Sequence, residues 1–270
     1  MFLPTIYWCD GKKTEEYLEM LIEDFMKEYS FATVNGKDSA TELSGNIGKI
    51  AAKYRSTNQG ETQREGSVSR STAALFTDLH QMLEGKQLIQ SLYGFDEDIW
   101  KQLTTGEFVE VEGEFKQSPA ELVLSSTLDF FEQFKSQLEV TSSPKELGEY
   151  ELMSSIMNLQ KVTSIIQPYV EGDYKFFTSL DSDNFHEDRY ELEGEFTILG
   201  KIKKIYKPLQ EVDLIKMLPG KMRFKKSQLM SLLKDLPNDE LDFDVSEINE
   251  DSFTLKGPAI ELTPIAIYQK

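Results

Sequence analysis

The stretch Tyr190–Tyr206, YELEGEFTILGKIKKIY, decides how this chain is read. Tyr190, Leu192, Phe196 and Ile198 alternate with Glu191, Glu193, Glu195 and Thr197. That period of two marks a strand with one buried and one wet face. Gly194 interrupts the run as a glycine at a bulge does. Gly200 then separates it from Lys201–Tyr206, so the stretch predicts two paired strands with a turn at Gly200. Acids on the first run would face lysines on the second, a cross-strand pairing that contributes about 0.2–1 kcal/mol per pair.

Working outward, the same pattern recurs in Thr105–Lys116, where Phe108, Glu110, Glu112 and Glu114 alternate with Val109 and Val111. Both segments contain the phrase E-x-E-G-E-F, at 110–115 and 191–196. Six residues are too few to establish a repeat architecture. Further strands are predicted at Thr5–Cys9, within Gly172–Asp188, at Ser252–Leu255 and at Ala259–Tyr268. Helices are predicted at Glu15–Tyr29 with Thr14 as cap, from Ser71 to about Gln90, over Asp96–Leu103 anchored by Trp100, from Pro119 to Leu138, and from Lys145 to Ile166. Shorter ones are expected at Val212–Leu218 and Ser227–Leu236. Glu42–Tyr54 fits either a strand pair or a loose helix. Arg55–Arg70, rich in Ser, Thr, Gln and Gly, reads as an exposed loop.

These elements predict an α+β protein: short, mostly antiparallel strands with several packed amphipathic helices. The division expected is an N-terminal α+β region over 1–170 and a strand-rich C-terminal region over 171–270 with two short helices.

The 270 residues carry a net charge of −18, which opposes generic nucleic-acid binding. The charge is uneven. Lys201–Lys226 holds nine Lys or Arg and two acids, whereas Asp235–Asp251 holds eight acids and no base. Mutual neutralisation of these neighbours is the simplest expectation, and a basic patch at the first segment is the alternative. One cysteine, Cys9, forms no intrachain disulfide, which fits a reducing cytoplasm. The first ten residues lack the basic region and cleavage site of a signal peptide, and no apolar run approaches membrane-spanning length.

Motifs for chemistry are sparse. Asp181-Ser-Asp183-Asn184 opens like a calcium loop, but Phe185, His186 and Leu192 break the template at its fifth, sixth and twelfth positions. Gly36-Lys37 lacks the earlier glycine of a phosphate loop. Two histidines and one cysteine do not make a structural zinc site, and no cofactor or metal is expected. His80, beside the apolar face of its helix, reads as a packed or solvated residue.

The residues expected to meet a ligand or partner are therefore basic: Lys201, Lys203, Lys204, Lys207, Lys225 and Lys226, with Arg55, Arg64 and Arg70 from the polar loop. The reading is a non-enzymatic binding or regulatory protein with a protein partner or an anionic small ligand. One alternative is a nucleotide or nucleic-acid sensor using the same basic ribbon. Another is a metal-dependent enzyme with a carboxylate site, for which Asp181, Asp183 and His186 are the candidates.

Four segments carry a family likeness: Ile6-Tyr7-Trp8-Cys9-Asp10 before a helix, the polar Glu42–Ser69, Phe196-Thr197-Ile198-Leu199-Gly200-Lys201-Ile202, and Gly257-Pro258-Ala259-Ile260 through Pro264-Ile265-Ala266-Ile267-Tyr268. Their order resembles an uncharacterised bacterial protein family of unknown function found in many Gram-positive genomes. The resemblance implies a bacterial, cytoplasmic protein with an accessory role, phage defence among the options, and brings no catalytic residues with it.

Overall fold

The computed structural model describes residues 4–34, 47–51, 71–92, 97–118, 161–168, 174–187, 192–217, 227, 230 and 249–270. The predicted helix over 119–138, the part of the next one before residue 161, the loop over 55–70 and most of 227–236 lie outside them.

Tyr190–Tyr206 does not form a strand pair. Gly194–Tyr206 is one continuous 13-residue strand, β6, with Gly200 in its interior. The reason lies across the sheet: a Cβ on Gly200 would stand 2.9 Å from the carbonyl oxygen of Thr263. The glycine admits a neighbouring backbone rather than a turn. Gly200→Ala is expected to cost about 1–3 kcal/mol through overpacking, measured by chemical denaturation; an unchanged midpoint would refute this account of the glycine.

The remaining strands are β1 (Thr5–Cys9), β2 (Ile89–Ser91), β3 (Phe108–Gln117), β4 (Lys161–Pro168), β5 (Lys175–Asp181), β7 (Glu211–Asp213), β8 (Thr254–Lys256) and β9 (Ala259–Gln269). β3 pairs with β4, β4 with β5, β5 with β9, β9 with β6, and β6 with β3 again. These five strands close on themselves into a barrel, which leaves no free edge within the ring. All pairs are antiparallel except β5 with β9. Counted in chain order around the ring, the strands run first, second, third, fifth, fourth and back to the first. This is the strand order of the OB-fold, a five-stranded Greek-key barrel. The ring takes β3 and β4 from before residue 170 and the other three strands from after it. β1 adds to β9, and β2 adds to β3 in parallel.

The expected α+β body of packed amphipathic helices is thus overturned. The α-helices among the described residues are α1 (Gly11–Val34), α2 (47–51), α3 (Thr72–Gly85) and α4 (Glu97–Gln102), and residues 227 and 230 are helical as well. They clothe a barrel rather than build the body. Several boundaries also differ. The helix expected to run to about Gln90 ends at Gly85, and Ile89–Ser91 is strand β2. Residues 161–166 belong to β4, not to the end of a helix, because Val162, Thr163, Ile165 and Ile166 are β-branched and fit a pleated surface. Residues 211–213 are strand β7, followed by a 3₁₀ turn, Leu214–Met217. The cap of α1 is Asp10, whose Oδ1 accepts from the Lys13 amide at 2.9 Å; Thr14 instead donates its hydroxyl to the Asp10 carbonyl at 2.8 Å. Ser71 caps α3 as expected, accepting from Ala74.

The two E-x-E-G-E-F phrases lie side by side. Gly113 pairs with Phe196, Glu114 with Glu195, and Phe115 with Gly194. Each glycine faces the other copy's phenylalanine, and the rings meet edge to face at 5.6 Å. An aromatic covering a cross-strand glycine restores the packing that the missing side chain forfeits. Gly194 also takes φ +103°, a conformation that favours glycine.

The barrel interior holds Val109, Val111, Phe115, Ile166, Phe176, Leu180, Phe196, Ile198, Ile202, Ile260, Leu262 and Ile267. Trp8 from β1 joins this core at the end where β5 finishes, and Trp100 from α4 joins it where β5 begins, 4.7 Å from the Tyr174 ring. A second core lies outside the barrel, where Leu18, Ile22 and Phe25 of α1 and Phe76, Leu79, Met82 and Leu83 of α3 cover Ile6, Leu199, Ile265, Ala266 and Tyr268. A third, smaller core joins Phe177 and Ala259 to Val212, Leu214 and Leu255 of the β7–β8 ribbon.

Candidate functional site

The lysines of β6 occupy its second half, with Lys201 at the edge of the helix-covered segment and the others beyond it. Lys201 is half-buried, its Nζ 4.7 Å from the Phe108 ring centroid and 5.1 Å from that of Tyr17. Lys203 is exposed and ion-paired to Glu261 Oε1 at 2.5 Å. Lys204 is exposed with its Nζ 4.3 Å from the Tyr206 ring centroid. Such cation–π contacts hold a long side chain in place at a cost the ring quadrupole offsets. Irregularity in the β6–β9 register between Ile202 and Lys204 places Lys203 and Lys204 adjacent at a bulge. Lys207 is exposed at the strand's end, its amide donating to Gln210 Oε1 at 2.7 Å. The structure thus brings Lys203, Lys204 and Lys207 to one stretch and sets Lys201 apart against α1. Lys225, Lys226, Arg55, Arg64 and Arg70 lie outside the described residues. The acid that meets Lys203 is Glu261 of β9, not one from the preceding acidic run.

Asp181 ends β5, and its carbonyl accepts from Trp8 Nε1 at 2.7 Å. Asp183 sits in the 3₁₀ turn Ser182–Asn184, and His186 is exposed with its amide donating to the Tyr7 carbonyl at 2.9 Å. Their backbone atoms fasten the barrel end to β1. Among the described residues no group of three or more His, Cys, Asp or Glu side chains is placed to hold a metal ion.

Sequence reasoning missed a buried polar cluster. Glu110, on the outer side of β3 under the helix layer, is 3% exposed. Its Oε2 receives His80 Nε2 at 2.7 Å and the Tyr268 hydroxyl at 2.8 Å, and its Oε1 receives the Lys270 ammonium. The other ring nitrogen of His80 faces Glu84 Oε2 at 3.5 Å. Burial pushes the Glu110 carboxyl up, but the hydrogen bonds from His80, Lys270 and Tyr268 and the lysine's charge outweigh it and hold the group down at about 2. A carboxylate so engaged is a brace between α3, β3 and the last strand. The signal for it was His80 within the apolar stripe Phe76, Leu79, Met82 and Leu83: a histidine inside such a stripe needs a polar partner.

Cys9 is buried, and burial with the nearby Asp10 charge raises its thiol to about 11 against the lowering effect of the Thr14 hydroxyl 3.4 Å away. It is a small apolar filler rather than a nucleophile at neutral pH. No described helix is long and apolar enough to cross a membrane.

No curated protein and no solved structure matches this chain. A family model does, over residues 3–268, and so covers the barrel, the helix layer and the β6 lysines alike. The chain belongs to the family described as Domain of unknown function (DUF6414).

Proposed function

We propose that this is a binding or regulatory protein that acts without catalysis, and that its contact surface is the outer side of β6 around Lys203, Lys204 and Lys207. The observation that carries the reading is the placement of these three exposed cations at one bulged strand end of the barrel. Two of them are already held by a neighbour, Glu261 or Tyr206. Pre-positioned side chains lose less entropy on binding, so they favour recognition of an anionic small ligand or an acidic protein surface. The single buried cysteine suits a reducing cytoplasm, and the family resemblance points to a Gram-positive bacterium and an accessory role such as phage defence.

The test pairs native mass spectrometry of gently purified protein with charge reversal. Lys204→Glu and Lys207→Glu are exposed substitutions, expected to shift stability by no more than about 0.5 kcal/mol. They are expected to weaken retention of the co-purifying species about tenfold or more, the equivalent of 1.4 kcal/mol. Retention unchanged in the double variant would remove this surface from consideration.

A further inference from the structure

The third core has an arrangement that invites a second reading. Phe177 follows Phe176 on β5; Phe176 points into the barrel, so Phe177 faces outward. It is nonetheless fully buried, because Val212, Leu214 and Leu255 lie over it. Beside it on β6 stands Tyr206, ring centroids 5.8 Å apart. Tyr206 carries Lys204 over its ring and donates its hydroxyl to Glu261 Oε2 at 3.4 Å; Glu261 also holds Lys203.

The cover is a continuation of the β6–β9 pair folded back on itself. That pairing ends at Tyr206 opposite Ala259, and resumes as the ribbon at Glu211 opposite Lys256. The intervening turn is fixed by Gln210 donating its amide to the Lys207 carbonyl and Gly257 donating to that of Gln210, both at 2.9 Å. A Cβ on Gly257 would stand 2.2 Å from the Lys207 oxygen, so the fold-back tolerates no side chain there. The ribbon itself has three residue pairs, and a two-stranded ribbon of that length is marginal without the surface beneath it.

We propose that the Phe177–Tyr206 face with Lys203 and Lys204 is a nucleoside-phosphate site held closed by the β7–β8 ribbon. This rests on the reading of the β6 lysines as the contact surface and names its ligand and its regulation. Aromatic faces stack bases regardless of sequence, and ammonium groups take phosphate as point charges. Glu261 occupies the phosphate position in the closed state, satisfying both Lys203 and the Tyr206 hydroxyl. Lifting the ribbon exposes the stacking face, and a phosphate then competes with Glu261 for the lysines. The charge of −18 opposes a long polyanion, so the ligand is a free nucleotide or a short single-stranded segment.

The experiment is fluorescence titration of the full chain with mant-labelled adenosine diphosphate and with a labelled oligothymidine, at low and at moderate salt. Leu255→Ser loosens the ribbon, and Glu261→Gln removes the internal anion while leaving the ribbon core in place. Each is expected to tighten binding of at least one probe by about tenfold over the unsubstituted protein. Adding Tyr206→Ala to either variant is expected to abolish the gain. Adding Lys204→Glu is expected to lower the oligothymidine salt slope by about 0.7. Tighter binding of the nucleotide alone marks a free nucleotide as the ligand, and tighter binding of the oligothymidine marks a strand. If Leu255→Ser fails to fold, Glu261→Gln decides. The proposal is overturned if Glu261→Gln, and Leu255→Ser where folded, bind neither probe more tightly. Should Lys204→Glu and Lys207→Glu still weaken the co-purifying complex, the contact surface stands and only the closed site falls. Should they not, both fall.

Discussion

Glu110→Gln is expected to destabilise the protein by about 3 kcal/mol, within the range for breaking a buried charged network from one side. The glutamine retains volume but takes the anion away from the Lys270 ammonium and from His80, which is buried at 2% exposure. The Lys270 side chain is 43% exposed and regains water, which keeps the loss toward the lower end. The wild type should also show an acid limb that the variant lacks. The Glu110 carboxyl sits at about 2 in the fold against an ordinary value of 4.5, so folding favours its ionised form. That stabilisation is complete above pH 4.5 and is lost as pH falls from there toward 2. The groups facing it are His80 from α3, Tyr268 from the last strand and Lys270, with Glu84 behind His80. Denaturant midpoints of both proteins through this window isolate the Glu110 part as their difference. Parallel curves would mean that the carboxylate contributes nothing specific.

Trp8→Ala is expected to cost about 3–5 kcal/mol, as for other fully buried large aromatics. Trp8 is 0% exposed and belongs to the barrel core although β1 is not part of the ring. Its indole N–H donates to the Asp181 carbonyl at 2.7 Å, and its backbone bridges to Phe185. Removing it opens a cavity at one end of the barrel and leaves that carbonyl without the indole donor. Trp8→Phe keeps most of the packing and loses the hydrogen bond, with an expected cost of about 1–3 kcal/mol. Thermal melts of the two variants rank these contributions. Near-wild-type stability in Trp8→Ala would show that the N-terminal strand is dispensable to the barrel.

Local chemistry was legible where one residue type dictates one conformation. Ser71 begins a helix because its hydroxyl accepts from Ala74, and Trp100 anchors α4 because a short helix must bury its apolar residues, here Trp100 with Ile99 beside it. Asp10 was misread for Thr14 because both can cap a helix and only the backbone geometry chooses between them. In the candidate site, the lysines were visible as charges, whereas the rings and the acid that hold them were not. Lys203 meets Glu261 from 58 positions away and Lys201 meets Tyr17 of α1, while Lys204 and Tyr206 share a face as alternate residues of one strand.

By itself, the sequence showed strand character in Thr105–Lys116, in the runs on either side of Gly200 and in Ala259–Tyr268, since alternation and β-branching act over a few neighbouring residues. Only the tertiary structure decided that they close into a barrel. Gly200 looks like a turn until β9 is placed beside it, and E-x-E-G-E-F looks like coincidence until the two copies pair with glycine opposite phenylalanine. Glu110 looks like one more wet-face acid until α3 and the last strand bring His80, Tyr268 and Lys270 to it. Ring closure depends on pairings between segments about eighty residues apart, and a period-two pattern carries no information about which strand lies on either edge.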